Sequence, residues 1–244
     1  MDMQMDQDRS EIVWITGASK GIGYACARVL AASGMRVVMS SRNRNELVNA
    51  AMAIRAEGGD ARAVQCDVSN EEDVEWAIKS IMKEYGEGPD ILINNAGISP
   101  YQNIEDTTSK IFDEVIGINL IGNFMCATAV LPEMIRKGKG TIVQMLSIAS
   151  TKAFAGGVAY GASKFGALGF TNALREEVRH QGIRVVSVMP GATETEAWDE
   201  QERDAYRSRM MQPGDIAKAV SDVLAQPHRT MVEEIVLRPI GGDL

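Results

Sequence analysis

Short apolar runs alternate along the chain with longer stretches in which apolar residues recur every three or four positions. The first pattern predicts strands buried on both faces, and the second predicts amphipathic helices. Residues 11–16, Glu-Ile-Val-Trp-Ile-Thr, form the first predicted strand, and 24–33 the helix after it. A strand over 36–40 and a helix over 44–57 follow, the helix stopped by Gly58-Gly59. Then come a strand over 61–66, a helix over 70–85 opened by a Ser69/Glu72 capping box, and a strand over 90–93. One long helix is predicted over 107–136, with apolar positions at Ile111, Val115, Ile118, Phe124, Val130 and Ile135. After it the pattern predicts a strand over 141–146, a helix over 157–181 stopped by Gly182, and a strand over 183–189. A charged stretch, 193–212, carries Trp198, Tyr206 and Met210. A helix from Pro213 to Ala225 and a strand over 232–237 close the pattern.

Strand and helix alternating seven times over predict an α/β fold. The expected architecture is a single-domain Rossmann-type doubly wound parallel sheet of about seven strands with helices on both faces. At 244 residues the chain can bury one sizeable core. Residues 11–244 are read as that domain, with 193–212 as a lid. Residues 1–10, acidic and polar, are read as a frayed tail without the apolar core of a signal peptide.

Charge and cysteine content narrow the function classes. A net charge of −8 argues against a nucleic-acid or anionic-membrane partner, because both need basic surface. No apolar run of membrane-spanning length is read in the sequence. Cys26, Cys66 and Cys126 are widely spaced and odd in number, which fits a reducing, cytoplasmic compartment and neither a disulfide frame nor a zinc site. His180 and His228 stand alone, so no metal is expected.

The first strand runs directly into Gly17-Ala-Ser-Lys-Gly21-Ile-Gly23 and a helix. That context suits a phosphate cradle: Gly17 for the turn, Gly21 for close approach of a phosphate, Gly23 for helix against strand. The alternative is an ordinary glycine-rich connection. After the second strand, where NAD-binding folds often place an acid for the ribose 2′-hydroxyl, this chain has Ser41-Arg42. Arginine pairs with a 2′-phosphate and an acid repels one, so NADP(H) is predicted over NAD(H), with Lys20 as a second cation. Asp67, beside Val68, either meets the adenine amino group or begins the next helix. Asn94-Asn95-Ala96-Gly97 closes the fourth strand with small residues against the expected ribose, and its asparagines are expected to brace the adjoining strands.

Tyr160-Gly-Ala-Ser-Lys164 carries the candidate chemistry. Positions i and i+4 share a helix face, so a phenol and an ammonium stand together. The positive charge is expected to pull the phenol toward the working pH range. Ser147, ending a strand, supplies a hydroxyl for a substrate oxygen. Asn119, inside a predicted helix, either interrupts it and holds a water near Lys164 or is satisfied by neighbouring backbone.

Taken in order and spacing, Thr16-Gly17-x-x-x-Gly21-Ile22-Gly23, Asn94-Asn95-Ala96-Gly97, Asn119, Ser147, Tyr160-x-x-x-Lys164 and Pro190-Gly191 resemble the short-chain dehydrogenase/reductase family over nearly the whole chain. The resemblance implies an Asn119, Ser147, Tyr160, Lys164 tetrad, with Tyr160 as general acid in reduction and base in oxidation. It implies that Ser147 holds the carbonyl oxygen and Lys164 the nicotinamide ribose. Ser19, Thr193 and Thr195 join the cofactor set it implies, with Pro190 and Gly191, and Thr195 meets the carboxamide. Ile148, Phe154, Gly157 and Trp198 fall where substrate-lining residues lie. A small carbonyl or hydroxyl compound is the implied partner, and a homodimer or homotetramer through helices 107–136 and 157–181 the implied assembly. The implied reaction is hydride transfer between NADP(H) and a carbonyl or secondary alcohol. Reduction of 3-oxoacyl thioesters on acyl-carrier protein, and a catalytically silent NADP-binding sensor, are the alternatives. Leu146 stands where many members have a second serine, and the C-terminus lacks the ending usual in 3-oxoacyl carrier-protein reductases.

Overall fold

The computed structural model describes residues 10–244, so all but Ser10 of the expected tail lies outside the described residues. Seven strands form one sheet: β1 (Ile12–Thr16), β2 (Arg36–Ser40), β3 (Asp60–Ala63), β4 (Ile91–Asn94), β5 (Gly140–Met145), β6 (Ile183–Pro190) and β7 (Glu234–Leu237). Their order is β3-β2-β1-β4-β5-β6-β7, and every pairing is parallel. The order reverses between β1 and β4. A parallel sheet opens a crevice at such a switch point, beyond the carboxyl ends of its strands.

The apolar runs are continuous because the inner strands are covered on both faces. Val13 and Ile15 pack on one side with Leu30 of α1 (Gly21–Ala32), Leu47 of α2 (Arg44–Ala56) and residues of the C-terminal helix 213–224. Ile12 and Trp14 face the other way, toward Val74 of α3 (Glu71–Tyr85), Val130 and Leu174. The edge strands are shorter than predicted. β3 stops at Ala63, after which Val64 and Cys66 donate to Met39 and Ser41 outside the ladder. β7 begins only at Glu234. Edge strands lack a second covering partner, so their ends are set by single hydrogen bonds instead of a buried apolar run.

The predicted helix over 107–136 is three pieces: α4 (Ser109–Ile116), a π-helical turn at Gly117–Ile121, and α5 (Gly122–Lys137). By length and composition the 29-residue span Ser109–Lys137 could cross a membrane, which the sequence reading had not found. Here it is a core helix, with Cys126, Val130 and Met134 wholly buried against the sheet side and Val115 also buried. The remaining helices are α6 (Val158–Val178), α7 (Glu200–Tyr206) and α8 (Pro213–Leu224). The cap of α3 also differs from expectation. Asn70, one position later than Ser69, accepts from the Asp73 amide, and Asp73 in turn accepts from the Asp67 amide.

Candidate active site

The segments that follow β1, β4, β5 and β6 meet at the carboxyl edge of the sheet. Gly17 and Gly21 have φ of +62° and +57°, a region that glycine enters without strain. A Cβ on Gly17 would lie 2.8 Å from Ala96 Cα, and one on Gly23 would lie 2.4 Å from the Gly17 carbonyl oxygen. The Asn95 amide explains this closeness, donating to the carbonyls of Thr16 and Gly17 at 3.0 and 2.9 Å. Thr16 Oγ1 accepts from the Asn95 and Ala96 amides, which completes the seam between β1 and β4. The first turn of α1 has neither an acidic residue nor a side-chain cap, whereas Asn43, Asn70 and Thr108 cap α2, α3 and α4. The residues Ser19, Lys20 and Ile22 thus surround a helix start with unclaimed amides, which fits a phosphate group.

Of the outer cofactor candidates, Arg42 is exposed and Ser41 half-buried beyond β2. Ser41 Oγ donates to the Asn43 carbonyl. Asp67 Oδ1 accepts from the amide and hydroxyl of Ser69, so the carboxylate shapes the approach to α3. Val68 is buried against Gly122. Asn94 reaches a helix and not the adjoining strand: its Nδ2 donates to the Asn123 carbonyl at 2.9 Å. At the end of β6, Gly191 donates to the Leu237 carbonyl after Pro190, and Thr193 Oγ1 donates to the Gly191 carbonyl. Thr195 comes back to the glycine turn, its Cγ2 3.5 Å from where a Gly21 Cβ would stand.

The tetrad candidates converge. Ser147 follows β5, its hydroxyl accepts from the Ala149 amide at 3.1 Å, and it lies near enough to the Tyr160 hydroxyl to favour the phenolate. Lys164 is 5% exposed; its Nζ donates to the Met145 carbonyl at 2.9 Å and sits 5.7 Å from the centre of the Tyr160 ring. Asn119 is fully buried in the π-helical turn, and its side chain is fully engaged. Its Oδ1 accepts from the Ile98 amide, and its Nδ2 donates to the Ile98 carbonyl and to Ser163 Oγ. Ser163 Oγ donates to the Tyr160 carbonyl. The helix is therefore interrupted as one reading expected, while the amide is satisfied as the other did. The widened turn points the amide at the loop after β4 and ties that loop to α6. Gly97 completes the contact, with Asn119 Oδ1 3.2 Å and Lys164 Nζ 3.9 Å from where its Cβ would be.

One electrostatic expectation is overturned. Burial pushes the Tyr160 phenol up to about 12, a rise that the Ser147 hydroxyl opposes and the nearby Tyr101 phenol reinforces. Burial also lowers Lys164, to about 8. Both charged forms lose water in the same crevice, and in the chain alone this desolvation outweighs the attraction between them. The Tyr160 phenol is accordingly protonated at neutral pH.

Ile148 is buried in the turn after Ser147, and Phe154 lies under Lys152 Nζ, 5.1 Å from the ring centre. Trp198 is half-buried, its amide on the Thr195 carbonyl. Leu146, standing in place of a serine, packs with Ala167 and Met189 beneath α6. The sequence reading missed Tyr101, Ser163 and Asn123. For Ser163 a signal existed, since a serine inside a helix commonly bonds back to a carbonyl one turn earlier. Tyr101 lies in a loop without periodicity.

Comparison with known proteins places this geometry in context. A sequence model described as short chain dehydrogenase matches residues 11–205. The chain is 37% identical over 240 residues to a protein named sepiapterin reductase from Chlorobaculum tepidum, covering 96% of this chain and 98% of that one. A metagenomic short-chain oxidoreductase solved in complex with NADP superposes with a TM-score of 0.83 at 31% identity, covering 94% of this chain and 96% of that one. An alcohol dehydrogenase from the archaeon Thermococcus sibiricus, complexed with 5-hydroxy-NADP, superposes with a TM-score of 0.86 at 28% identity, covering 95% and 97%.

Proposed function

The chain belongs to the short chain dehydrogenase family and is an oxidoreductase, and on that premise we propose that it transfers a hydride between NADP(H) and a carbonyl or secondary-alcohol carbon. The observation that carries this reading is the convergence of Ser147, Tyr160 and Lys164 beside the uncapped glycine turn, with Lys164 Nζ 5.7 Å from the Tyr160 ring centre and donating to the Met145 carbonyl. When bound, NADPH supplies the hydride. Ser147 and Tyr160 orient the carbonyl oxygen, and the Tyr160 hydroxyl delivers its proton as negative charge develops there. In this reading the Lys164 ammonium, 5.7 Å from the Tyr160 ring centre, stabilises the resulting phenolate and would hold ribose hydroxyls. Asn119 positions this group by joining Ile98 to Ser163.

Residues 193–212 act in this reading as a lid that excludes water. Glu194 pairs with Arg207 at 2.8 Å and accepts from Gln212 at 2.8 Å, joining the two ends of the segment. Rates of NADPH oxidation with α-diketones, short aldehydes, acetoacetyl thioesters and, in reverse, 3-hydroxy acids test the reaction class. Activity confined to acetoacetyl thioesters would instead favour the carrier-protein reaction.

Arg42 is proposed to select NADP(H) by pairing with the 2′-phosphate. Arg42→Glu is expected to lower kcat/KM for NADPH by roughly 10–10²-fold, the usual worth of a charge-assisted hydrogen bond. NADH should lose little. Equal losses on both cofactors would remove Arg42 from the selection.

The chain is also proposed to pair through α5 and α6. Ile121, Phe124 and Phe165 are exposed there, and Phe124 meets Phe170 edge to face at 6.0 Å. Clustered exposed aromatics of this kind suit an interface core. Light scattering should return two or four times 26.5 kDa, and a mass of 26.5 kDa would defeat the pairing.

A further inference from the structure

We infer that Tyr101 is the specificity-determining wall of the substrate site, and that the ketones this chain takes best carry a flat conjugated ring beside the reacting carbon. The inference rests on the reading of Tyr160 as proton donor. The Tyr101 ring centre is 5.9 Å from that of Tyr160, with the planes inclined at 47°. At 56% exposure, one side of the ring is covered and much of the rest is open.

A lone exposed tyrosine is ordinary on a protein surface. This one is held in place. The next residue, Gln102, donates its amide to the Gly156 carbonyl at 2.8 Å. Its side chain donates to the Asp106 carbonyl and to Thr107 Oγ1, both at 3.3 Å. The ring itself lies on the bare backbone at the start of α6, where a Cβ on Gly157 would come within 3.2 Å of Tyr101 Cε1. Gly157, expected from sequence as a substrate-lining residue, thus enters the site as the seat of this ring. The Tyr101 phenol also helps to hold the proton on Tyr160, so the two hydroxyls share one neighbourhood.

A carbonyl oxygen within hydrogen-bonding reach of Tyr160 brings its substituents within a few ångströms of that hydroxyl. A ring on the reacting carbon then falls within the ~4.5–7 Å at which aromatic rings attract, in a stacked or tilted arrangement. A saturated ring of similar size presents no flat face and gains less.

The test compares acetophenone with cyclohexyl methyl ketone, using NADPH oxidation by wild type, Tyr101→Leu, Tyr101→Phe and Gly157→Ala. The two ketones differ in intrinsic reactivity, so the readout is how their kcat/KM ratio changes between proteins. Tyr101→Leu should lower the aryl-to-cyclohexyl ratio roughly three- to tenfold, chiefly through KM for the aryl ketone. Tyr101→Phe keeps the ring and should leave the ratio within about twofold. Gly157→Ala should tilt the ring and shift the ratio in the same direction as Tyr101→Leu. An unchanged ratio in Tyr101→Leu would overturn the wall and leave the reductase reading standing. If wild type turned over neither ketone, the aryl preference would fall, and the reductase reading would be decided by the diketones, aldehydes and 3-hydroxy acids.

Discussion

Tyr160→Phe is expected to lower kcat for ketone reduction by about 10²–10⁴-fold, the usual worth of a positioned acid. Phenylalanine keeps the ring, its packing on Tyr101 and its place by Lys164, and it removes only the hydroxyl near Ser147. The loss should therefore appear in kcat, with NADPH affinity, read from quenching of its fluorescence, changed by no more than about twofold. The pH dependence offers a second check. Burial holds the phenol up to about 12, so in the chain alone the donor stays protonated through the neutral and mildly alkaline range. A decline in reduction that sets in near pH 8 would then belong to Lys164 and not to the donor. Wild-type turnover by Tyr160→Phe would remove the proton-donor role outright.

Lys164→Met should have opposite effects on activity and stability. Its ammonium is buried, and its pKa lies at about 8 against 10.5 for a free lysine. A group whose folded pKa is depressed in this way destabilises the fold whenever the unfolded chain carries the proton. The penalty is complete below about pH 8, shrinks between 8 and 10.5, and is absent above. At pH 7 its size is on the order of 3 kcal/mol, taken from the shift at about 1.4 kcal/mol per unit. Methionine fills similar space without a charge, so the variant should melt several degrees higher at pH 7. That gain should fade on titration toward pH 10.5. Turnover should fall by about 10²-fold or more, because nothing then stabilises the phenolate that forms as the proton leaves. A lower melting temperature at pH 7 would mean that the hydrogen bond to the Met145 carbonyl outweighs the cost of burying the charge.

The inner strands were legible for a simple reason. β1, β4, β5 and β6 are buried on both faces, so nearly every position is apolar or internally paired, with the buried Gln144 of β5 the clear exception, and the run announces itself. The ends of the edge strands were not. β3 lost Val64 to Cys66 from its predicted length because single bonds to Met39 and Ser41 replace the ladder there. The α3 cap was misplaced by one position, since Ser69 and Asn70 are both good caps and the choice falls to the side chain that reaches the Asp73 amide. In the site, Tyr160 and Lys164 could be paired on a helix face from spacing alone. Asn119 could not be resolved, because its partners, Ile98 and Ser163, lie 21 and 44 positions away in the chain. Tyr101 and Gly157 are likewise far apart in the chain, and Tyr101 sits in no periodic pattern.

By itself, then, the order of residues determined the alternation of elements, the glycine turn opening on a helix, and the phenol and ammonium one turn apart. All of these depend on groups within a few positions of one another, where backbone geometry leaves little choice. The folded arrangement alone decided which way the phenol titrates, where the Asn119 amide is used, and which aromatic ring stands beside Tyr160. Those depend on how much water each group loses and on which distant group replaces it, and both are set only when strands and loops far apart in the chain are brought together.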